Sequence, residues 1–205
     1  GNENGGTNDK IAFYQFSKEG KYEQRYVLNY ADASVGANGD TRSYTVELAS
    51  STGGEKRFII VESENESNFP NMSATNTIDE LLNSKTVAES GKLNPPFVMS
   101  NVKTDGKEYV TVADVESSNN QVDVKLKRRV ARFDLLNDPT ESGLVIDKVY
   151  IKNRYTQGFI GDVSGNAGNI SADVLEIPAA DLANDGKSFY LYPTQLTSTL
   201  EQNEK

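Results

Sequence analysis

The chain has 205 residues, long enough for one large β domain or for a complete small domain followed by part of a second. Its net charge of −9 and pI of 4.7 argue against a nucleic-acid partner, because binding a polyanion needs a concentrated basic face. Histidine and cysteine are absent. That removes histidine bases, Ser-His and Cys-His nucleophiles, disulfides and nearly every zinc, copper, haem or iron–sulfur site, so neither a cofactor nor an enzymatic activity is expected.

The chain opens on GNENGGTND, and residues 1–10 read as a flexible, polar tether. IAFYQF, Ile11 to Phe16, is an aromatic-rich strand closed by the turn SKEGKY. After the Gly-broken loop ADASVGANGD, the run RSYTVELAS alternates, with Tyr44, Val46 and Leu48 on one face and Thr45 and Glu47 on the other, which predicts a half-buried strand. KRFIIVES holds four consecutive apolar residues from Phe58 to Val61, which predicts a central strand covered on both faces. The period then changes in TNTIDELLNS: Thr77 and Glu80 have capping-box spacing, and Ile78, Leu81 and Leu82 share a helical face, so this is the one convincing helix. Past NPPF, the stretches FVMSNV and EYVTVADV read as strands joined through TDGK, whose Asp105-Gly106 pair favours a tight hairpin turn.

QVDVKLKRRVARFDLL, residues 121–136, threads basic side chains through a strand-like run. Val122, Val124 and Leu126 fall on one parity and Ala131, Phe133 and Leu135 on the other. Either a β-bulge or a strand that leaves one sheet for another would shift the apolar face in this way, packing the first trio in one core and the second in the next. Arg128, Arg129 and Arg132 mark the crossing, with their charges expected in solvent or against acidic loops. LVIDKVYIKNRY contains a further alternating strand, and KSFYLYP a last one. Between them, Asp162, Ser164 and Asn166 lack the glycine and terminal glutamate of a calcium loop, and Gly161, Gly165 and Gly168 do not match GxGxxG, so GDVSGNAGNISAD reads as surface loop without a metal.

The segments VKLKRRVARFDL and DKVYIKNRYTQGFIGD, preceded in order by KIAFYQFSKEGKY, KRFIIVES, TIDELLN and PPFVMSN and followed by KSFYLYPTQ, resemble the fimbrillins, type V pilus subunits of Bacteroides-like Gram-negative bacteria. The resemblance implies a mainly β chain: a transthyretin-like β-sandwich with one short helix over residues 11–129, then the start of a second, incomplete β-sandwich over 130–205. It also implies a lipoprotein precursor exported to the outer membrane, loss of an N-terminal strand by proteolysis, and polymerisation by donor-strand exchange. The lipid-attachment cysteine and first strand of such precursors are not in this sequence, which therefore resembles a processed form or a chain trimmed to mimic one, and an FYLYP strand so near the end resembles a fragment or a short member.

The expected function is thus a structural subunit of a cell-surface fimbrium that supports adhesion. Its partners would be other pilus subunits, with host surface proteins or glycans beyond them, and its outer-membrane association would run through the precursor's lipid anchor. A sandwich lacking a strand exposes backbone groups beside an apolar groove that an incoming strand can satisfy. Ile11, Phe13, Phe58, Ile60, Val124 and Leu126 are the candidate groove residues, each of which could equally be ordinary core. The alternative is a monomeric surface lipoprotein module, a pilus anchor or a binder of glycan or host protein, using the ten tyrosines and the Asn/Gly-rich loops. Paired-carboxylate hydrolysis is a third reading, on which thirty acidic residues offer no discrimination.

Overall fold

The computed structural model describes residues 10–39, 41–48, 53–117 and 120–194. The expected tether lies outside these residues except for Lys10, which already belongs to the first strand. β1 (Lys10–Ser17) and β2 (Tyr22–Asn29) form an antiparallel hairpin whose register shifts after Gln15. Its tight turn places Gly20 at φ 79°, a conformation that costs glycine little. YEQRYVLN shows no clean alternation because β2 is a sheet edge, with Glu23, Gln24 and Val27 exposed.

β3 (Ser34–Val35) and β4 (Arg42–Ser43) make a small ladder of their own. Of the strand expected over RSYTVELAS, whose last two residues lie outside the described ones, only Arg42 and Ser43 join a ladder among the described residues. From 44 to 48 the predicted alternation survives in burial, with Tyr44, Val46 and Leu48 half-buried, but the backbone joins no ladder among the described residues. Side-chain packing keeps this segment extended in place of strand pairing.

β5 (Lys56–Ser63) is the central strand that its continuous apolar run predicts: it pairs with β1 along its whole length and is buried on both faces. α1 (Ile78–Leu82) begins at the predicted capping box, where Thr77 Oγ1 accepts from the Glu80 N–H and the Glu80 carboxylate accepts from the Thr77 N–H at 2.6 Å. Its three apolar residues are buried.

β6 (Met99–Asn101) and β7 (Val110–Val112) both exist, but they do not pair with each other as a hairpin would. Both lie antiparallel on the same side of β5: β6 opposite Val61 and Glu62, β7 opposite Lys56 to Phe58. They are two halves of one strand, interrupted by an excursion over 102–107. Its tip turns as an Asp-Gly pair should, with Asp105 and Gly106 at φ 49° and 77°. β8 (Leu126–Arg128) pairs with β6, completing a sheet of order β2-β1-β5-β6-β8 with β7 also on β5.

β9 (Ala131–Asp134) leaves that sheet and pairs with the last strand, so the parity change after Leu126 is a change of sheet and not a bulge. There follow α2 (Pro139–Ser142), β10 (Lys148–Ile151), β11 (Leu175–Pro178), α3 (Ala183–Gly186) and β12 (Ser188–Leu191). β10 pairs with β11 and β9 with β12. The two single-turn helices α2 and α3 carry no apolar periodicity and are not foreseen. Two members of the expected apolar trios do not pack inward: Val122 is 44% exposed and Phe133 45% exposed. Val122 precedes the laddered part of its strand, and Phe133 stacks on the half-buried Phe189 across the short β9–β12 pair (centroids 5.3 Å), outside the cluster of Ile151, Ile177 and Leu182 in which Phe189 itself packs.

The molecule is mainly β and sandwich-like, with apolar clusters on both faces of the large sheet. One face carries Ala12, Tyr14, Phe16, Ile59 and Val61 under α1, Phe69 and Val98, and the same cluster includes Ile160 from far along the chain. Ile160 arrives because residues 156–161 run beside 82–89, with Ile160 N–H donating to Ser84 O and Gly161 N–H to Leu82 O. A smaller cluster of Ile151, Ile177 and Leu182 serves the last strands.

Candidate functional site

All six candidate groove residues come together in one cluster on the other face of the large sheet. Strand alternation puts Ile11 and Phe13 of β1 on the same face as Phe58 and Ile60 of β5, with Phe13 directly opposite Ile60. Leu126 of β8, and Val124 just before it, extend the same face. Ile11, Phe58 and Ile60 are buried, whereas Phe13, Val124 and Leu126 are half-buried.

Two irregular segments cover this face. Tyr44 sets its ring edge-on to Phe13 at 5.7 Å, and its hydroxyl donates to Tyr30 O. Burial, and then the Glu62 carboxylate, push the Tyr44 phenol above its ordinary pKa. Leu48 and Val115 add to the cover. The backbone of 44–48 and of 121–124 forms no ladder with other described residues. The face therefore has strand-like cover, held by side chains, whose main-chain hydrogen-bonding groups have no described β partner. At one end of the face the Glu23 carboxylate holds the buried Lys56 ammonium and the Gln15 carboxamide, both at 2.8 Å.

Of the three crossing arginines, Arg128 is half-buried and Arg132 is exposed, in an ion pair with Asp134 at 2.8 Å. Of the two settings expected for these charges, solvent or an acidic loop, Arg129 takes the second, against Glu108 in the loop between β6 and β7. It is 5% exposed, and its guanidinium donates to Ser100 Oγ (2.6 Å), Asn101 O (2.7 Å) and the equally buried Glu108 carboxylate (3.1 Å). Burial lowers its pKa and Glu108 opposes the shift. Glu108 in turn accepts from the Asp162 N–H (2.8 Å), and Ser100 Oγ donates to Ile160 O. One buried charge pair thus ties the sheet to the loop that follows Ile160.

Sequence reasoning does not single out Asn101, yet it closes the gap between β6 and β7. Its carboxamide accepts from the Ile60 N–H (2.8 Å) and donates to Phe58 O (3.3 Å), replacing the strand where the excursion begins. No local pattern signals this, since the two carbonyl and amide partners are about forty residues away. Among the described residues, no cluster of three or more acidic side chains is placed to hold a metal ion, and no helix is long and apolar enough to cross a membrane.

With this geometry in hand, the chain can be set beside solved structures of similar fold. A fimbrial assembly protein from Parabacteroides distasonis superposes with a TM-score of 0.53 at 14% identity, over 89% of this chain and 68% of its own length. A candidate polysaccharide-binding protein from Bacteroides thetaiotaomicron superposes with a TM-score of 0.50 at 16% identity, over 91% of this chain and 64% of its own. The chain shares its fold with both and spans about two thirds of each. No protein-family model matches the sequence, and no curated protein does.

Proposed function

We propose that this chain is a structural subunit of a cell-surface fimbrium, a protein of assembly and adhesion and not of catalysis. Its six-stranded sheet would receive an extended strand from a neighbouring subunit over Ile11, Phe13, Phe58, Ile60, Val124 and Leu126. The observation that carries the reading is the assembly of these six side chains in one cluster on one face, where the extended segments 44–48 and 121–124, the second of which contributes Val124, have no described ladder partners. An incoming strand satisfies such main-chain groups while its alternate side chains enter the apolar face. The fold shared with a fimbrial assembly protein supports it. The arginine-bearing crossing from β8 to β9 would then fix how the accepting sheet meets the rest of the subunit.

Strand-exchanged polymers resist mild detergent, so an unheated denaturing gel of the surface-shear fraction from source cells is expected to show a ladder that collapses on boiling. Val124→Asp puts a charge on the accepting face at a half-buried position outside any ladder, and is expected to shift the population to monomer with the circular dichroism spectrum intact. A ladder unchanged by V124D defeats the reading.

A second reading, a monomeric lipoprotein module that binds glycan or host protein, is supported by the fold shared with a candidate polysaccharide-binding protein. An array of surface tyrosines does not support it: of the ten, Tyr150 alone is exposed. A single membrane-retained monomer band on the same gel would favour this second role.

A further inference from the structure

Gln15 of β1 and Lys56 of β5 are both buried, and a single carboxylate holds the two of them. The register sets Gln15 opposite Phe58 and Ser17 opposite Lys56, so Gln15 and Lys56 are diagonal neighbours on the face of the groove residues, a separation that long side chains span. β2 supplies the third member through an irregularity. Its pairing with β1 steps from Gln24 opposite Gln15 to Tyr22 opposite Phe16, which leaves Glu23 as the extra residue of a bulge, a device that re-aims a side chain. One Glu23 oxygen accepts from the Lys56 ammonium and the other from the Gln15 carboxamide nitrogen, each at 2.8 Å.

The carbonyl end of that carboxamide is held as well. Tyr26 lies opposite Phe13, on the same face, and donates its hydroxyl to Gln15 Oε1 at 3.2 Å. A carboxylate can only accept, so the amide nitrogen faces Glu23 and the carbonyl faces Tyr26. Four groups therefore converge: an amine, an amide carbon, a carboxylate bridging the two nitrogens, and an O–H donor on the carbonyl oxygen. Ion pairing of Lys56 by itself needs neither the carboxamide nor the phenol. The Lys56 side chain is 3% exposed and that of Glu23 24%, so the amine is shielded from water while the carboxylate has an opening to it.

We propose that Lys56 and Gln15 condense into an intramolecular amide that staples β1 to β5. Lys56 Nζ gives a proton to Glu23, and its lone pair bonds to Gln15 Cδ as the carbonyl π pair moves onto Oε1, where the Tyr26 O–H receives the charge. Glu23 delivers its proton to Nε2 and takes one from Nζ. The oxygen pair then re-forms the carbonyl, the Cδ–Nε2 bond breaks, and ammonia departs with the proton that Glu23 holds. An ammonium and a primary amide thus become a secondary amide and an ammonium ion, with Glu23 again a carboxylate and no oxidant or cofactor consumed. Fixed proximity supplies the effective concentration that such a condensation needs, and the phenol a preorganised oxyanion donor. In a chain without cysteine, this bond takes the place of a disulfide, closing residues 15–56 into a covalent loop. It does not depend on strand uptake, so either can fail alone.

The test is the mass of the full chain after incubation in the folded state at neutral pH, followed by tryptic digestion and fragmentation. The chain is expected to be one ammonia lighter than its sequence, with residues 11–18 joined to 43–57 and no cleavage after Lys56. A succinimide at Asn38-Gly39 also loses ammonia but leaves these peptides separate, so linkage and not mass decides. Glu23→Gln, which keeps the side-chain shape, is expected to abolish the link, and Tyr26→Phe to slow it about a hundredfold. Recovery of Gln15 and Lys56 from the parent chain in separate peptides overturns the proposal whether or not any variant folds. So does linkage at an undiminished rate in E23Q.

Discussion

Arg129 joins three segments: β6 through Ser100 and Asn101, the far root of the excursion through Glu108, and, by way of Glu108, the backbone of Asp162. Removing one member of a buried pair leaves the other charged and unsolvated, which costs about 3–5 kcal/mol. Arg129→Ala is therefore expected to lower the stability measured by urea unfolding by that amount. Arg129→Met combined with Glu108→Met removes both charges and should recover a large part of the loss. Recovery stays incomplete because the Asp162 N–H then has no acceptor, an omission worth about 1–3 kcal/mol. Equal instability of the single and double variants would show that packing, not charge, sets the cost at this position.

At the scale of elements, the contact between 156–161 and 82–89 depends on two residues without side chains. A Cβ built on Gly161 would lie 2.6 Å from Leu82 Cβ and 3.0 Å from Leu82 O, and one on Gly158 would lie 2.5 Å from the Tyr192 ring. Gly161→Ala is expected to cost about 1–3 kcal/mol, the usual range for overpacking, because the obstruction includes the helix-end backbone of Leu82, which has little freedom to withdraw. A thermal midpoint indistinguishable from that of the parent chain would contradict this. How far elements are legible depends on where their determinants lie. β1, β5 and α1 are readable because each is specified within its own few residues: aromatic density, an unbroken apolar run, and a Thr77–Glu80 box. β2 is not, because an edge strand with polar outward positions lacks the alternation by which strands are recognised, and β11 is not, because its alternation spans only four residues and ends in a proline. The six groove residues can be placed on one face because period-two parity is local information. Arg129 defeats the same logic: a charge in a KLKRR run reads as solvated, and only the non-local positions of Glu108 and Ser100 bury it. The broken β6–β7 strand is equally hidden, since both halves look like the arms of a hairpin around Asp105-Gly106.

For the molecule as a whole, Ile160 and Val163 pack in the cluster built mainly by residues before 100, and Phe97 meets Tyr190 at 4.5 Å between centroids. The core beneath α1 is thus completed by residues well beyond the crossing at Arg129. The full chain is expected to lose its near-ultraviolet and far-ultraviolet signals in one transition, and a fragment ending at residue 136 to show no cooperative transition in the same range. A fragment melting within about 3 °C of the full chain, a shift that corresponds to roughly 1 kcal/mol in a chain of this length, would mean that the first sheet folds without help from residues past 136. The excursion at 102–107 has the opposite character. Asn101 closes the gap in the ladder below it, so the register of β6 and β7 on β5 is independent of how many residues loop out between them. Since the entropy of closing a loop rises only slowly with its length, this is a position at which the chain can gain or lose residues over generations with little penalty to folding. Whatever reads the outer surface of the protein therefore meets, at this one point, a segment free to drift.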